Sequence, residues 1–271
     1  MSHLPKIACM ELMFGDVSGE KLAPFLRDLK AAGFDGAALR FSTLKAYFES
    51  VDELKALLKS SGLELAGAYA PMDTDAADVE KLCALLQAVG CDNLCMHGGQ
   101  RKDGAEGAAT RAALAKLLDT RGAMARRYGV CVSFHHHCNV PFETFEETLE
   151  LLETTDPKNV YLFLDSGHAE QDFKSLPLKT RGLELLKRCW PRVKYVEFKE
   201  WNPTTHLNTE LGAGQTDFVA LAAYLLEHNY PGWITLEQNS PTAGATPIEC
   251  AARSLKFARK AFEQAAEVCP R

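Results

Sequence analysis

Short apolar runs alternate with longer amphipathic stretches along this chain. The runs are KIACMEL (6–12), GAALRF (36–41), LELAGAY (63–69), NLCMH (93–97), VCVSFHHH (130–137), VYLFLD (160–165), VKYVEFK (193–199) and WITLEQ (233–238). We read them as strands. Between them, apolar residues recur at three- and four-residue spacing over 19–34, 51–62, 78–90, 110–129, 145–156, 182–190, 217–230 and 247–266, which predicts helices. Gly33, Gly62, Gly90 and Gly129 fall where a helix would end and turn into the next strand. Strand starts recur about every 32 residues, the size of one βα unit. Eight such units, with no long linker, predict a single α/β domain over residues 1–271, folded as a (β/α)8 barrel. An open doubly wound sheet is the alternative. It is disfavoured because no Gly-rich phosphate loop follows the first strand.

Composition narrows the functional classes. A chain of 271 residues that is 46% hydrophobic and 24% charged can bury a large core, which excludes disorder and disulfide miniproteins. Its net charge of −6 is a poor match to nucleic acid, which needs a basic footprint. No apolar run has the length of a membrane span, and the first residues lack the pattern of a signal peptide. The nine cysteines are odd in number and mostly lie inside apolar segments, as expected of reduced thiols in a cytoplasmic protein. Cys91 and Cys95 lack the second pair of a zinc site and read as packing residues. A barrel of this size is expected to form homo-oligomers.

Chemistry in such a barrel sits at the C-terminal ends of the strands. Those ends carry His97, the run His135-His136-His137, Asp165 followed by His168, then Glu197, Lys199 and Glu200, and Glu237-Gln238. Alternate strand residues face opposite sides, so His135 and His137 share a face while His136 points toward the helices or a loop. Tyr195, Glu197 and Lys199 share a face opposite Val196 and Phe198, which turns the polar set inward. A buried Glu beside a buried Lys is costly without a partner or a metal. Four consecutive strands thus end in an inward His, Asp or Glu.

The predicted ligands are His135, Asp165, Glu197 and Glu237, with His136 and His137 as alternatives on strand five. Three carboxylates and one imidazole suit one divalent ion, Mn²⁺ first, with Mg²⁺, Co²⁺ or Zn²⁺ as alternatives. Such an ion would chelate a hydroxy-carbonyl substrate, act as a Lewis acid and stabilise an enediolate. A carboxylate or imidazole at the site would take the proton. His97 is read as a substrate contact or as packing. Glu11, Arg40 and Tyr69 are expected to face the pocket from the first three strands. Gly212 and Gly214 precede a helix whose N-terminus offers an anion site. His206 and His228 read as loop and helix-surface residues, and His3 as a terminal one.

The segments FHHHCN (134–139), ETFEETLELLETTDP (143–157), LFLDSGH (162–168), VEFKE (196–200), LGAGQTDF (211–218) and WITLEQNSP (233–241) resemble the xylose isomerase-like TIM-barrel superfamily. The resemblance spans nearly the whole chain and is most specific from residue 129 onward. The D-S-G-H motif and triple His are most similar to the inosose dehydratases. The resemblance implies a metal-dependent sugar or polyol enzyme. It matches Asp165 and Glu237 to ligands and His168 to a substrate contact, and by offset it places the strand-five ligand at His135. The family's H-x-K-D pattern on strand seven reads Glu197-Phe198-Lys199-Glu200 here, so one His and one Glu have exchanged places.

With His135 in place of a Glu, the symmetrical pair of bases that the superfamily's epimerases use is weakened. A lyase needs no such pair. The expectation is therefore a dehydratase of a keto-polyol or keto-sugar, preferably unphosphorylated. Glu237 would be the base, His168 or His137 the acid, and Lys199 a polarising group. The alternative is an aldose–ketose isomerase or sugar 3-epimerase.

Overall fold

The computed structural model describes residues 4–268; His3 and Cys269 lie outside them. The chain runs β1 (Ile7–Met10), α1 (Leu22–Ala32), β2 (Gly36–Arg40), α2 (Phe41–Lys45), α3 (Val51–Ser61), β3 (Glu64–Pro71), α4 (Ala76–Val89) and β4 (Asn93–His97). It continues with α5 (Gly104–Ala125), β5 (Cys131–His135), α6 (Phe145–Thr154), β6 (Val160–Asp165), α7 (Ser166–Asp172) and α8 (Arg181–Cys189). The last elements are β7 (Val193–Asn202), β8 (His206–Thr209), α9 (Phe218–Glu227), β9 (Ile234–Glu237) and α10 (Pro247–Val268). Strands β1 to β7 and β9 pair in parallel, and β9 closes on β1 through Ile7–Ile234 and Cys9–Leu236. This is the predicted eight-stranded barrel with a helical outer layer. Among the described residues no helix is long and apolar enough to cross a membrane.

Alternation along the strands separates two cores. Ala8, Met10, Ala38, Tyr69, Cys95, Phe163 and Tyr195 fill the inside of the barrel. Their neighbours of opposite parity, such as Cys9, Leu39, Leu94, Leu164, Val196 and Phe198, pack outward against the helices. Polar residues inside are paired, with Ser133 Oγ donating to Asn93 Oδ1 at 2.9 Å and Thr235 Oγ1 to the Tyr195 hydroxyl at 2.6 Å. The four helix-ending glycines have φ between 66° and 98°, a region costly for residues with a Cβ.

Three elements depart from the periodicity reading. Helices α2 and α7, neither of them predicted, start directly after β2 and β6, and α2 includes Phe41, which was read as strand. Strand β8 is an extra antiparallel strand, with Glu200 opposite Thr209 and Asn202 opposite His206. His206 therefore lies at the exposed start of a strand and not in a loop. Four residues whose pattern only alternates once are too short a signal to read as a strand. His228 ends α9 and stacks on Tyr224 at 4.0 Å between ring centroids.

Candidate active site

The C-terminal ends of β5, β6, β7 and β9 converge. Asp165 lies opposite Glu197 on the next strand, and Lys199 lies opposite Glu237. Asp165 is the last residue of β6 and also the N-cap of α7: its Oδ1 accepts the His168 backbone N–H at 2.9 Å. This is why the D-S-G-H segment folds as it does. The cap holds the carboxylate in place, and one turn of helix returns His168 to the barrel mouth.

Asp165 is engaged through both of its oxygens, whereas Glu197 is held through one. The Tyr69 hydroxyl donates to Glu197 Oε2 at 2.6 Å, while Glu197 Oε1 is buried with no partner. Lys199 Nζ donates to Glu237 Oε1 and sits 3.9 Å from Asp165 Oδ2. His135 Nε2 lies 3.0 Å from Asp165 Oδ2, and the buried His135 Nδ1 has no partner. Burial, then the charges of Glu237 and Asp165, push the Glu197 carboxyl well above the usual range. Burial opposes the Lys199 cation, but Glu237, Asp165 and Glu197 outweigh it and hold it protonated. The Ser166 hydroxyl fixes this lysine's backbone, accepting from Lys199 N at 2.9 Å and lying 2.8 Å from Lys199 O.

The imidazoles form a second layer. The rings of His137 and His168 lie against each other, with centroids 3.9 Å apart and planes tilted by 38°. Burial pushes both imidazoles below the usual range. The Cys138 backbone N–H donates to His168 Nδ1 at 3.3 Å, so the ring proton sits on Nε2, which is buried and unpartnered. Asp172 Oδ2 is also 3.3 Å from Nδ1, and burial raises the Asp172 carboxyl to about 7. His136 points to the helix side: its Nε2 accepts the Asp165 N–H at 3.3 Å and its ring packs on Phe173. That is a structural role.

The remaining predicted positions separate into pocket and support. His97 lines a pocket with Met72, Asp73, Gln100, Arg101 and Asn139, and its ring centroid is 6.2 Å from that of His135. Burial, then His135 and His137, push the His97 imidazole down to about 3. Tyr69, expected to face substrate, is buried and spends its hydroxyl on Glu197. Glu11 is wholly buried, accepting from Arg40 Nε at 2.5 Å and Thr43 Oγ1 at 2.8 Å.

The glycine loop at 212–214 is not a free anion site. The Glu200 carboxylate already takes the backbone N–H groups of Gly212, Gln215 and Thr216, at 3.1–3.2 Å. Asp217 caps α9 through the Ala220 N–H. Sequence reasoning missed Ser166, Asp172 and Cys138. The i, i+4 spacing of His168 and Asp172 on a helix was the available signal for one of them.

The donors fit a divalent ion. Ligand atoms of His135, Asp165 and His168 lie within 4.8 Å of one another. Glu197 and Glu237 stand outside that trio, tied to Tyr69 and Lys199 as described. With all three carboxylates ionised and Lys199 protonated the group carries −2, a charge that a divalent cation neutralises. The unpartnered Glu197 Oε1 and His135 Nδ1 mark polar capacity that the chain alone does not use.

A family model described as xylose isomerase-like TIM barrel matches residues 26–261. Inosose dehydratase from Bacillus velezensis is 26% identical over 274 residues, covering 89% of each chain. The match to inosose dehydratase from Salmonella typhimurium, 31% identical over 161 residues, covers 53% of this chain and 51% of that one, about half its length. Among solved structures, L-ribulose 3-epimerase superposes with a TM-score of 0.79 at 16% identity, covering 97% of this chain and 96% of that one. The IolI protein with a bound zinc atom superposes with a TM-score of 0.71 at 17% identity, covering 98% and 100%. At these identities the structural likeness establishes the fold.

Proposed function

The chain belongs to the xylose isomerase-like TIM-barrel family, and from that premise we propose that it is a divalent-metal-dependent dehydratase of a keto-polyol or keto-sugar. The observation that carries this reading is the asymmetry of the two groups facing the reaction. Strand β9 supplies a carboxylate, Glu237, whereas β5 supplies an imidazole, His135, engaged by Asp165. One base suffices for water elimination. A two-base epimerisation would ask His135 to carry protons through a nitrogen already committed to its neighbour.

His135, Asp165, Glu197 and Glu237 would hold the ion. When bound, such an ion supplies Lewis-acid polarisation of a substrate carbonyl. Glu237 then takes the proton alpha to that carbonyl. Lys199 orients Glu237 through its hydrogen bond and presents its remaining N–H donors to a substrate oxygen. His168 gives its Nε2 proton to the departing hydroxyl, and Asp172 replaces it through Nδ1. His137, whose ring lies against that of His168, would help hold it in place. Glu200, seated on the glycine loop, disfavours a phosphorylated substrate there.

The test is a keto-polyol panel in deuterated buffer, assayed for water loss and for solvent exchange, with Mn²⁺, Co²⁺ or Zn²⁺ restored after chelation. A dehydrated product that depends on the ion is expected. Deuterium uptake without dehydrated product would overturn the lyase in favour of the isomerase or 3-epimerase. Elemental analysis beside Glu197→Ala should show one ion per chain that is lost in the variant.

A further inference from the structure

Beside the carboxylate centre lies a group of ligands of different chemistry. His137, Cys138 and His168 place an imidazole nitrogen, a thiol sulfur and a second imidazole nitrogen within 4.8 Å of one another. Cys138 Sγ lies 3.6 Å from His137 Nδ1. His168 is fully buried, and its Nε2 makes no hydrogen bond. The His137 and His168 ring centroids lie 3.9 Å apart, with the planes tilted by 38°. Among the described residues Cys138 is the cysteine at the mouth of the site: Cys9, Cys83, Cys91, Cys95, Cys189 and Cys250 are buried, and Cys131 begins β5 at the opposite end of the barrel.

We propose that His137, Cys138 and His168 form a second metal site, distinct from the carboxylate centre and selective for thiophilic divalent ions such as Zn²⁺ or Cd²⁺ over Mn²⁺ and Mg²⁺. A thiolate with two imidazoles is a soft to borderline donor set, whereas three carboxylates and one imidazole are mostly hard. Binding removes the Cys138 thiol proton to solvent and forms one sulfur–metal bond, with no change of oxidation state. The ion would take up His168, the proton donor of the proposed reaction, together with His137 beside it. Its existence does not depend on the reaction the barrel catalyses.

Cobalt reports the site directly. The chelator-treated full chain is titrated with Co²⁺ while the near-ultraviolet sulfur-to-cobalt charge-transfer band is recorded. We expect a saturable band that is lost in Cys138→Ser, retained in Glu237→Gln and displaced by Zn²⁺ but not by Mg²⁺. In the unmodified protein, peptide mapping after iodoacetamide treatment should show Cys138 alkylation lost on adding Zn²⁺ and unaffected by Mg²⁺. Cobalt binding without the band, a band that survives Cys138→Ser, or alkylation indifferent to zinc would each overturn the proposal. Loss of the band in both variants would merge the two sites into one and overturn it as well.

Discussion

Two glutamates stand three residues apart on β7, and both are wholly buried. Glu200 is saturated: it accepts backbone N–H groups from Trp201, Gly212, Gln215 and Thr216. Glu197 accepts one hydrogen bond, from Tyr69, and keeps a bare oxygen among like charges. The difference separates fold from function. A buried carboxylate surrounded by backbone donors ties a loop together; here it folds 210–216 around β7. A buried carboxylate left short of donors and facing Asp165 and Glu237 costs stability, and a barrel retains it where something else is to be bound.

The largest expected effect falls on the unsaturated side. Glu237→Gln should lower turnover roughly 10²–10⁴-fold, the usual contribution of a positioned base, with the fold intact by circular dichroism. Turnover within a few-fold of wild type would remove Glu237 from the role of base. On the saturated side, Glu200→Ala should cost about 3 kcal/mol in denaturant unfolding, because several buried N–H groups lose their acceptor. A cost near zero would mean that the 210–216 loop holds itself. Glu197→Gln should leave the stability of metal-free protein within about 1 kcal/mol of wild type, because Gln keeps the uncharged form that burial already favours, while weakening ion binding. A larger destabilisation of the metal-free form would end the contrast between the two glutamates. The smallest effect is that of Tyr69→Phe, about 1 kcal/mol of stability at most, since it removes one hydrogen bond to a carboxylate that is already strained. Ion stoichiometry should survive this change.

The barrel was legible because its signals are local and repeated. Period-two strands, three-and-four-residue helical spacing and terminal glycines recur in each unit, so single errors of boundary do not change the topology. The inward face of β7 followed from Val196 and Phe198 alone. The outward turn of His136 followed from parity in the same way, and the packing of Cys91 and Cys95 from their apolar setting; all three stand so in the structure.

What parity could not show was which polar atoms are already spent. Tyr69 and Glu11 sit at strand ends as read, but the Tyr69 hydroxyl belongs to Glu197 and Glu11 to Arg40 and Thr43. The Gly212–Gly214 loop has the composition of an anion site, yet Glu200 fills it from another element. Asp172 and Cys138 reach His168 only because α7 begins on Asp165 itself. The sequence by itself determined the closed (β/α)8 frame and the strand ends where acidic and imidazole side chains gather, since both depend on spacing along the chain. The tertiary structure alone decided which of those groups are satisfied and which are left open, because hydrogen-bond partners are recruited across the barrel, from residues up to 128 positions apart.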